Sequence, residues 1–316
     1  MLGLILRRLL MVIPTLFIVT FGVFLLVKLV PTDPAVAAAG GENATFEAIA
    51  QKREELHLND PLLSQYWRWV SHAATGDLGD SYILHTSVSE NLKNRVPITL
   101  SLVFAATVVA LILALPLGII CGLRPNGIAD QVTRFVASLA IAIPSFVLAV
   151  VLVVVFAVKL GWLPPSGYVK FSESPSEWLR YITLPAIALG LAIAASITRQ
   201  LRAALIDELD TNHIRTAWAV GGTSPRVVAH DGLRNASGPA VTILGLQIAA
   251  LVGGTVIVEQ IFSIPGIGTY LLSGITAGDV PVIQGCVLVL AVIQILMSLT
   301  VDISYALLNP KVRAVA

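Results

Sequence analysis

Residues 210–222 read Asp210-Thr211-Asn212-His213-Ile214-Arg215-Thr216-Ala217-Trp218-Ala219-Val220-Gly221-Gly222. The chain continues through Thr223-Ser224-Pro225-Arg226 to His230-Asp231-Gly232-Leu233-Arg234-Asn235 and Pro239. This polar segment lies between two long apolar runs, residues 181–198 and 236–258. A glycine here can break one short helix, and Ser-Pro can start another. A short, charged connection of this kind in a membrane protein is expected to dock something outside the membrane.

Working outward from that segment, the composition is that of a bilayer protein. The 316 residues are 56% hydrophobic and 12% charged, against about 25% charged in soluble domains. Six apolar runs reach the roughly 17–25 residues that a spanning helix needs: 9–27, 96–123, 135–158, 181–198, 236–258 and 280–301. None holds an Asp, Glu, Lys or Arg. The runs are continuous rather than alternating, which favours helices over barrel strands. The first run follows Arg7-Arg8 and exceeds the 7–15 apolar residues of a cleaved signal, so it reads as an uncleaved span. The expected class is an all-α polytopic membrane protein with six transmembrane helices.

The short connections set the orientation. With the N-terminus inside, the inner segments carry eleven basic residues, from Arg7 and Arg8 to Lys311 and Arg313, against five acids. An N-in, C-in arrangement follows. Residues 1–30 are then the first span, 31–95 an extracytoplasmic segment and 96–308 a five-helix core with a cytoplasmic loop at 199–235. Residues 309–316 are a cytoplasmic tail. Within 31–95, residues 46–57 are expected to form a short polar helix. A second helix is expected to start at Asp60-Pro61, with Asp60 as its cap. Leu62, Tyr66, Trp69 and Val70 then share a face. The rings of Tyr66, Trp67 and Trp69 suit a membrane–water boundary. That segment reads either as a cap on the spans or as a gate or docking surface for an extracytoplasmic partner. Pro14, Pro116, Pro144, Pro185 and Gly253-Gly254 are expected kinks.

Several chemistries are missing. No phosphate-cradling G-x-x-x-x-G-K-[ST] loop, no H-E-x-x-H and no G-x-S-x-G occur. No catalytic residue and no metal ligand set stands out. A net charge of +1 gives no sign of nucleic acid as a partner. Cys121 and Cys286 sit in apolar runs and read as buried thiols. Two acids lie near span ends, Glu259 after the fifth run and Asp302 after the sixth. An acid at membrane depth is a functional candidate. For Asp302 the alternative is an ion pair with Arg199 or Arg8. Glu259, Asp302 and Gln247 of the fifth run are the candidates for gate or path.

The segment after the fourth run resembles the EAA loop of bacterial ABC importer permeases. It is most similar to the first-subunit (B-type) permeases of the dipeptide/oligopeptide/nickel family, through Arg215-Thr216-Ala217-Trp218-Ala219-Val220-Gly221 and His230-Asp231-Gly232-Leu233-Arg234-Asn235. Asn212-His213 departs from that pattern, where Asp-Tyr is usual. The resemblance continues through Pro31-Thr32-Asp33-Pro34, Gly76-Asp77-Leu78-Gly79-Asp80-Ser81, Glu259-Gln260-Ile261-Phe262, Pro265-Gly266-Ile267-Gly268 and Asn309-Pro310-Lys311.

The resemblance implies the type I importer permease fold and half of a translocation path. A second, homologous permease would supply the other half. One or two ATP-binding subunits would hold ATP and Mg, and an extracytoplasmic substrate-binding protein would dock opposite them. This chain would carry no cofactor. Arg215, Thr216, Ala217, Trp218, Gly221, Arg226, His230, Leu233 and Arg234 would form the ATPase-docking surface. Dipeptides, longer peptides, glutathione and nickel chelates all remain open as cargo. A stand-alone channel or secondary transporter is the alternative outside the family.

Overall fold

The computed structural model describes residues 2–28, 33–221, 223 and 226–308; the side chains of 2–9, 26, 42 and 302–308 lie outside that description. Among the described residues the chain is helical, and its only β feature is an isolated bridge between Asp80 and Ser87. A long helix, α1 (Leu2–Lys28), is followed by α2 (Pro34–Ala38), α3 (Phe46–Glu55) and α4 (Leu62–Ala74). The bundle then comprises α5 (Val88–Leu123), α6 (Ile128–Ala142), α7 (Ser145–Leu152, continued by a π-helical stretch Val153–Lys159) and α8 (Pro175–Leu209). The short α9 (Asn212–Ala219) leads through a π turn (Val227–Gly232) into α10 (Leu233–Ile261), α11 (Ile267–Ala277) and α12 (Val280–Leu308).

Local chemistry sets where the two longest helices begin. Both α5 and α8 start at Ser-x-x-Glu: Ser87 Oγ accepts from Glu90 N, and Ser174 Oγ accepts from Glu177 N. Pro175 sits in the first turn of α8, where its missing N–H costs nothing.

Among the described residues, four helical segments are long and apolar enough to cross a membrane: α5, α8, Val227–Ile261 and Val280–Val301. The run 135–158, expected as one span, is broken. Its two helices meet at 102° across Ile143-Pro144. Proline disfavours the helical conformation in the residue before it, and Ile143 is extended (φ −83°, ψ 121°). The other expected proline kinks do not break their helices; Pro14, Pro116 and Pro185 all lie inside continuous ones. Nor do Gly253 and Gly254 mark a tight contact, since a Cβ on either would meet nothing within 4 Å.

The core is the crossing of α5 on α8. Ala106, Ala110 and Ala114 are wholly buried, and Gly118 and Gly122 extend the same stripe at a spacing of four. A Cβ at Gly118 would lie 2.9 Å from Leu201 Cδ2, and one at Gly122 would lie 2.8 Å from Leu205 Cδ2. From the other side, a Cβ at Gly190 would lie 2.7 Å from the Ala106 carbonyl oxygen. Small residues are what allow this approach. Cys121 and Cys286 are both buried free thiols, as read from sequence.

An ion pair not anticipated from sequence joins α6 to α8. Arg202 grips the fully buried Asp130 with two hydrogen bonds, one of them Nη2 to Oδ2 at 2.7 Å, and Asn126 N donates to the same carboxylate at 2.8 Å. The bidentate fork gives this pair both strength and direction.

Between α1 and α5, two expectations are corrected. α3 ends at Glu55, and His57 turns left-handed (φ 53°). Asp60 does not cap α4: Pro61 occupies the cap, and the Asp60 carboxylate accepts from Arg68 Nη2 at 2.6 Å. A charged partner about two turns into the helix outcompetes a cap that would face water. Tyr66 is buried among Phe17, Phe21 and Phe24 of α1, its hydroxyl 2.9 Å from Thr20 Oγ1, whereas Leu62 is left exposed.

Candidate functional site

The connection from α8 to α10 is organised by Glu208. His213 Nε2 lies 3.0 Å from its Oε1, and Asn235 Nδ2 donates to the same oxygen at 2.8 Å. One carboxylate at the end of α8 thus fixes the starts of both α9 and α10. Thr211 Oγ1 adds a bond to the Glu208 carbonyl at 2.6 Å and lies 3.0 Å from His213 Nδ1. His213, a departure from the family pattern, therefore has a structural use here. Glu208 is the organiser that the sequence reading missed; a lone glutamate next to a predicted loop carries no distinguishing signal.

An eight-residue helix is marginal by itself in water. α9 is held by one buried side chain, Ile214, packed where the helix meets the end of α8 and the π turn. It ends where expected. Gly221 takes the left-handed conformation (φ 88°) and its N–H donates to the Trp218 carbonyl at 3.0 Å, a glycine stop. Gly222, Ser224 and Pro225 lie outside the described residues, so the second helix start expected at Ser-Pro does too.

The remaining residues of α9 face outward. Arg215 is exposed and reaches only Asp210, at 2.6 Å, in a pair open to solvent on both sides. Such pairs are worth about 0–1 kcal/mol, so Arg215 is free to change partners. Thr216 is exposed and bonds back to the Asn212 carbonyl at 3.0 Å, and Ala217 is half-buried. Trp218 is 42% exposed and Val220 is 81% exposed, an apolar tip on a polar loop. Arg226 and Arg234 are exposed. His230 is exposed and lies 2.9 Å from Asp231. Leu233 is the exception in the predicted set, since it packs against the helical core. The structure therefore brings Arg215, Thr216, Trp218 and Gly221 together on one small projection.

The other predicted residues lie elsewhere. Gln247 is half-buried in α10, and its side chain makes no hydrogen bond among the described residues. The Asp302 side chain lies outside the described residues, and with it the expected pair to Arg199 or Arg8. Glu259 is fully enclosed at the far end of α10. Its carboxylate accepts from Thr99 Oγ1 at 2.7 Å and from Thr269 N at 3.1 Å. Thr269 is in the first turn of α11, whose own N-cap, Gly266, has no side chain. Glu259 thus supplies from α10 the side-chain oxygen cap that Gly266 cannot give the α11 N-terminus. Gly266 is glycine for space, not conformation (φ −89°): a Cβ would lie 2.4 Å from the Glu259 carboxyl carbon. That accounts for Pro265-Gly266-Ile267-Gly268 as a cradle for this side chain.

A second buried carboxylate, Asp279, stands between α11 and α12. It accepts from Ser81 Oγ at 2.5 Å, Tyr82 N at 3.2 Å and Ile83 N at 3.4 Å. The turn that follows Gly76-Asp77-Leu78-Gly79 is pinned in this way to the α11–α12 corner. Burial, and after it the Asp279 charge, pushes the Tyr82 phenol up to about 12.

Over residues 114–314 the chain matches the family described as "Binding-protein-dependent transport system inner membrane component", and over residues 1–103 it matches that component's N-terminal family. The protein of Escherichia coli (strain K12) named "Glutathione transport system permease protein GsiC" is 40% identical over 313 residues, covering 99% of each chain. A relative from Brucella abortus (strain 2308), named for peptide transport, is 36% identical over 313 residues, again 99% of each. A chain of the MetNI methionine ABC transporter, in an inward-facing conformation, superposes with a TM-score of 0.55 at 21% identity. It covers 69% of this chain and 96% of that one, and so shares the fold. Its helical bundle, its α8–α10 projection and these matches make this chain a member of the binding-protein-dependent transport family, a multi-pass inner-membrane permease component with the type I ABC importer fold.

Proposed function

We propose that this chain is one of two permease subunits of an ATP-driven importer of small peptides, and that α9 is its coupling helix. The observation that carries this reading is the build of α9. A helix with one buried residue, and the cap that follows it, present Trp218 and Val220 to the surroundings, and beside them Arg215, whose partner Asp210 is itself open to solvent. Arg and Trp are the residue types that dominate interface hot spots. The cargo follows the relatives named for glutathione and for peptide transport, glutathione being itself a small peptide. The reading includes an N-in, C-in orientation, which puts α9 in the cytoplasm and the Glu259–Asp279 end outside.

In this reading the cytoplasmic ATPase subunits bind ATP and Mg, close on one another and pull the docked α9 with them. Glu208 transmits that pull, because it holds α9 and α10 at once. The bundle changes which side it opens to, and a binding protein delivers cargo at the opposite face. Two ligands acting at separate sites on one conformational equilibrium constitute allosteric coupling. The chain supplies path and lever and performs no bond chemistry.

Cross-linking tests this directly. A Trp218→Cys variant in the assembled transporter is expected to form a disulfide with a cysteine placed in the ATPase groove. A Gly221→Asp variant is expected to insert normally and to lose ATPase assembly or coupled uptake, because φ 88° strains any residue with a Cβ. Full uptake of labelled dipeptide by Gly221→Asp, or no cross-link from residue 218, would count against the reading.

A further inference from the structure

α4 has its apolar surface in the wrong place for a helix in water. At about 100° per residue, Trp69, Tyr66, Val70, Leu63 and Trp67 fall on one continuous arc. Gln65, Arg68 and His72 lie on the other side and line an open vestibule of about 540 Å³, which reaches across to Pro281 and Gln284 at the start of α12. α1 covers only one edge of the apolar arc. Tyr66 is 4% exposed, against Phe17, Phe21 and Phe24, but Leu63 is 71% exposed and Trp67 is 70% exposed. A helix packed on a soluble domain buries its apolar arc and shows polar residues outward. Here the polar side faces the aqueous vestibule, and the uncovered half of the apolar side faces away from the protein.

That uncovered half continues a surface of known character. Phe17 touches Tyr66 edge-on and is itself 55% exposed, and Ile13, Ile18 and Leu25 of α1 are also open. The Tyr66 hydroxyl meets Thr20, eight residues before the end of α1 at Lys28, which is about 12 Å along the helix. Lys28 itself, capping the level at which α1 ends, donates to Gln65 Oε1 at 2.6 Å. α4 therefore runs alongside the last turns of an apolar helix, with its ring-bearing edge below that lysine.

We propose that α4 is an interfacial helix seated in the bilayer leaflet that meets the C-terminal end of α1, with Leu63 and Trp67 among the acyl chains and Arg68 and His72 turned to water. The bilayer supplies the apolar surroundings that this arc requires, and tryptophan favours that depth. The leaflet is the outer one in the orientation proposed above; the rest of the inference does not depend on that orientation or on the cargo.

The test is a spin label at Leu63→Cys, and separately at Trp67→Cys, in the full transporter reconstituted in phosphatidylcholine vesicles. The native Cys121 and Cys286 are buried and stay unlabelled. Faster collision of both labels with oxygen than with a water-soluble nickel chelate is the expected result. Faster collision with the chelate would overturn the proposal, and so would shielding from both agents, which would mean that a partner protein covers the face. A second measurement avoids labelling. Acyl-chain-brominated phosphatidylcholine should quench tryptophan fluorescence less in Trp67→Phe than in the parent, and equal quenching would overturn the proposal. Neither readout requires uptake, so failure here is distinguishable from failure of the coupling assignment.

Discussion

At the start of α10, the neighbouring α9 buries one side chain, Ile214, and leaves Arg215, Trp218 and Val220 open. At its other end, about 40 Å away, Glu259 and Asp279 are enclosed and accept hydrogen bonds from groups 10 to 198 residues distant in sequence. The first region has exposed groups whose one pairing, Arg215 with Asp210, is open to solvent. The second has buried carboxyl groups whose hydrogen-bond donors come from within the chain. A surface built to be completed by another molecule leaves its apolar and cationic groups in water, where they cost little to hold in readiness. A carboxylate in a dry setting must instead find its donors within its own chain.

Mutations at the two ends should accordingly report through different measurements. Glu259→Ala is expected to have the largest effect, a loss of about 3 kcal/mol in stability, because it orphans the Thr99 hydroxyl and the Thr269 amide in a buried site. Thermal unfolding of the purified chain checks it; an unchanged midpoint would equate the two ends. Next comes Asp279→Ala, at about 2 kcal/mol, expected to free residues 81–83 and raise amide exchange there while leaving α9 alone. Trp218→Ala should weaken ATPase binding by about 1–2 kcal/mol, roughly tenfold, with the unfolding midpoint unmoved. A fall in the midpoint with binding intact would show Trp218 to be a packing residue. Smallest is Arg215→Ala, expected to change folding stability by less than about 0.5 kcal/mol, since its pair with Asp210 is solvent-exposed.

Each region was legible to a different degree. α9 was open to reading because its signals are local: polar residues between apolar runs, a glycine stop at Gly221, and hot-spot residue types in one turn. Glu259 could be singled out as an acid at a span end, but not given its role, since Thr99 is 160 residues away and the α11 N-terminus becomes a partner only after folding. Asp130 drew no attention as a site, because nothing near it in sequence announces Arg202, 72 residues on. Asp60 departs from its reading for a related reason: the cap rule is local, and the ion pair with Arg68 prevailed over it.

The sequence by itself determined that this chain is a bundle of apolar helices, because uninterrupted apolar length forces the backbone to satisfy its own hydrogen bonds. It also determined where the bundle puts out the short polar helix between its fourth and fifth apolar runs. Only the tertiary structure decided that Pro144, alone among the expected proline kinks, breaks its apolar run, that α5 and α8 approach through Gly118, Gly122 and Gly190, and that Glu259 caps a helix other than its own. These depend on what lies across a contact. Propensity and periodicity act over a few residues, and they carry no information about a partner brought in from a hundred residues away.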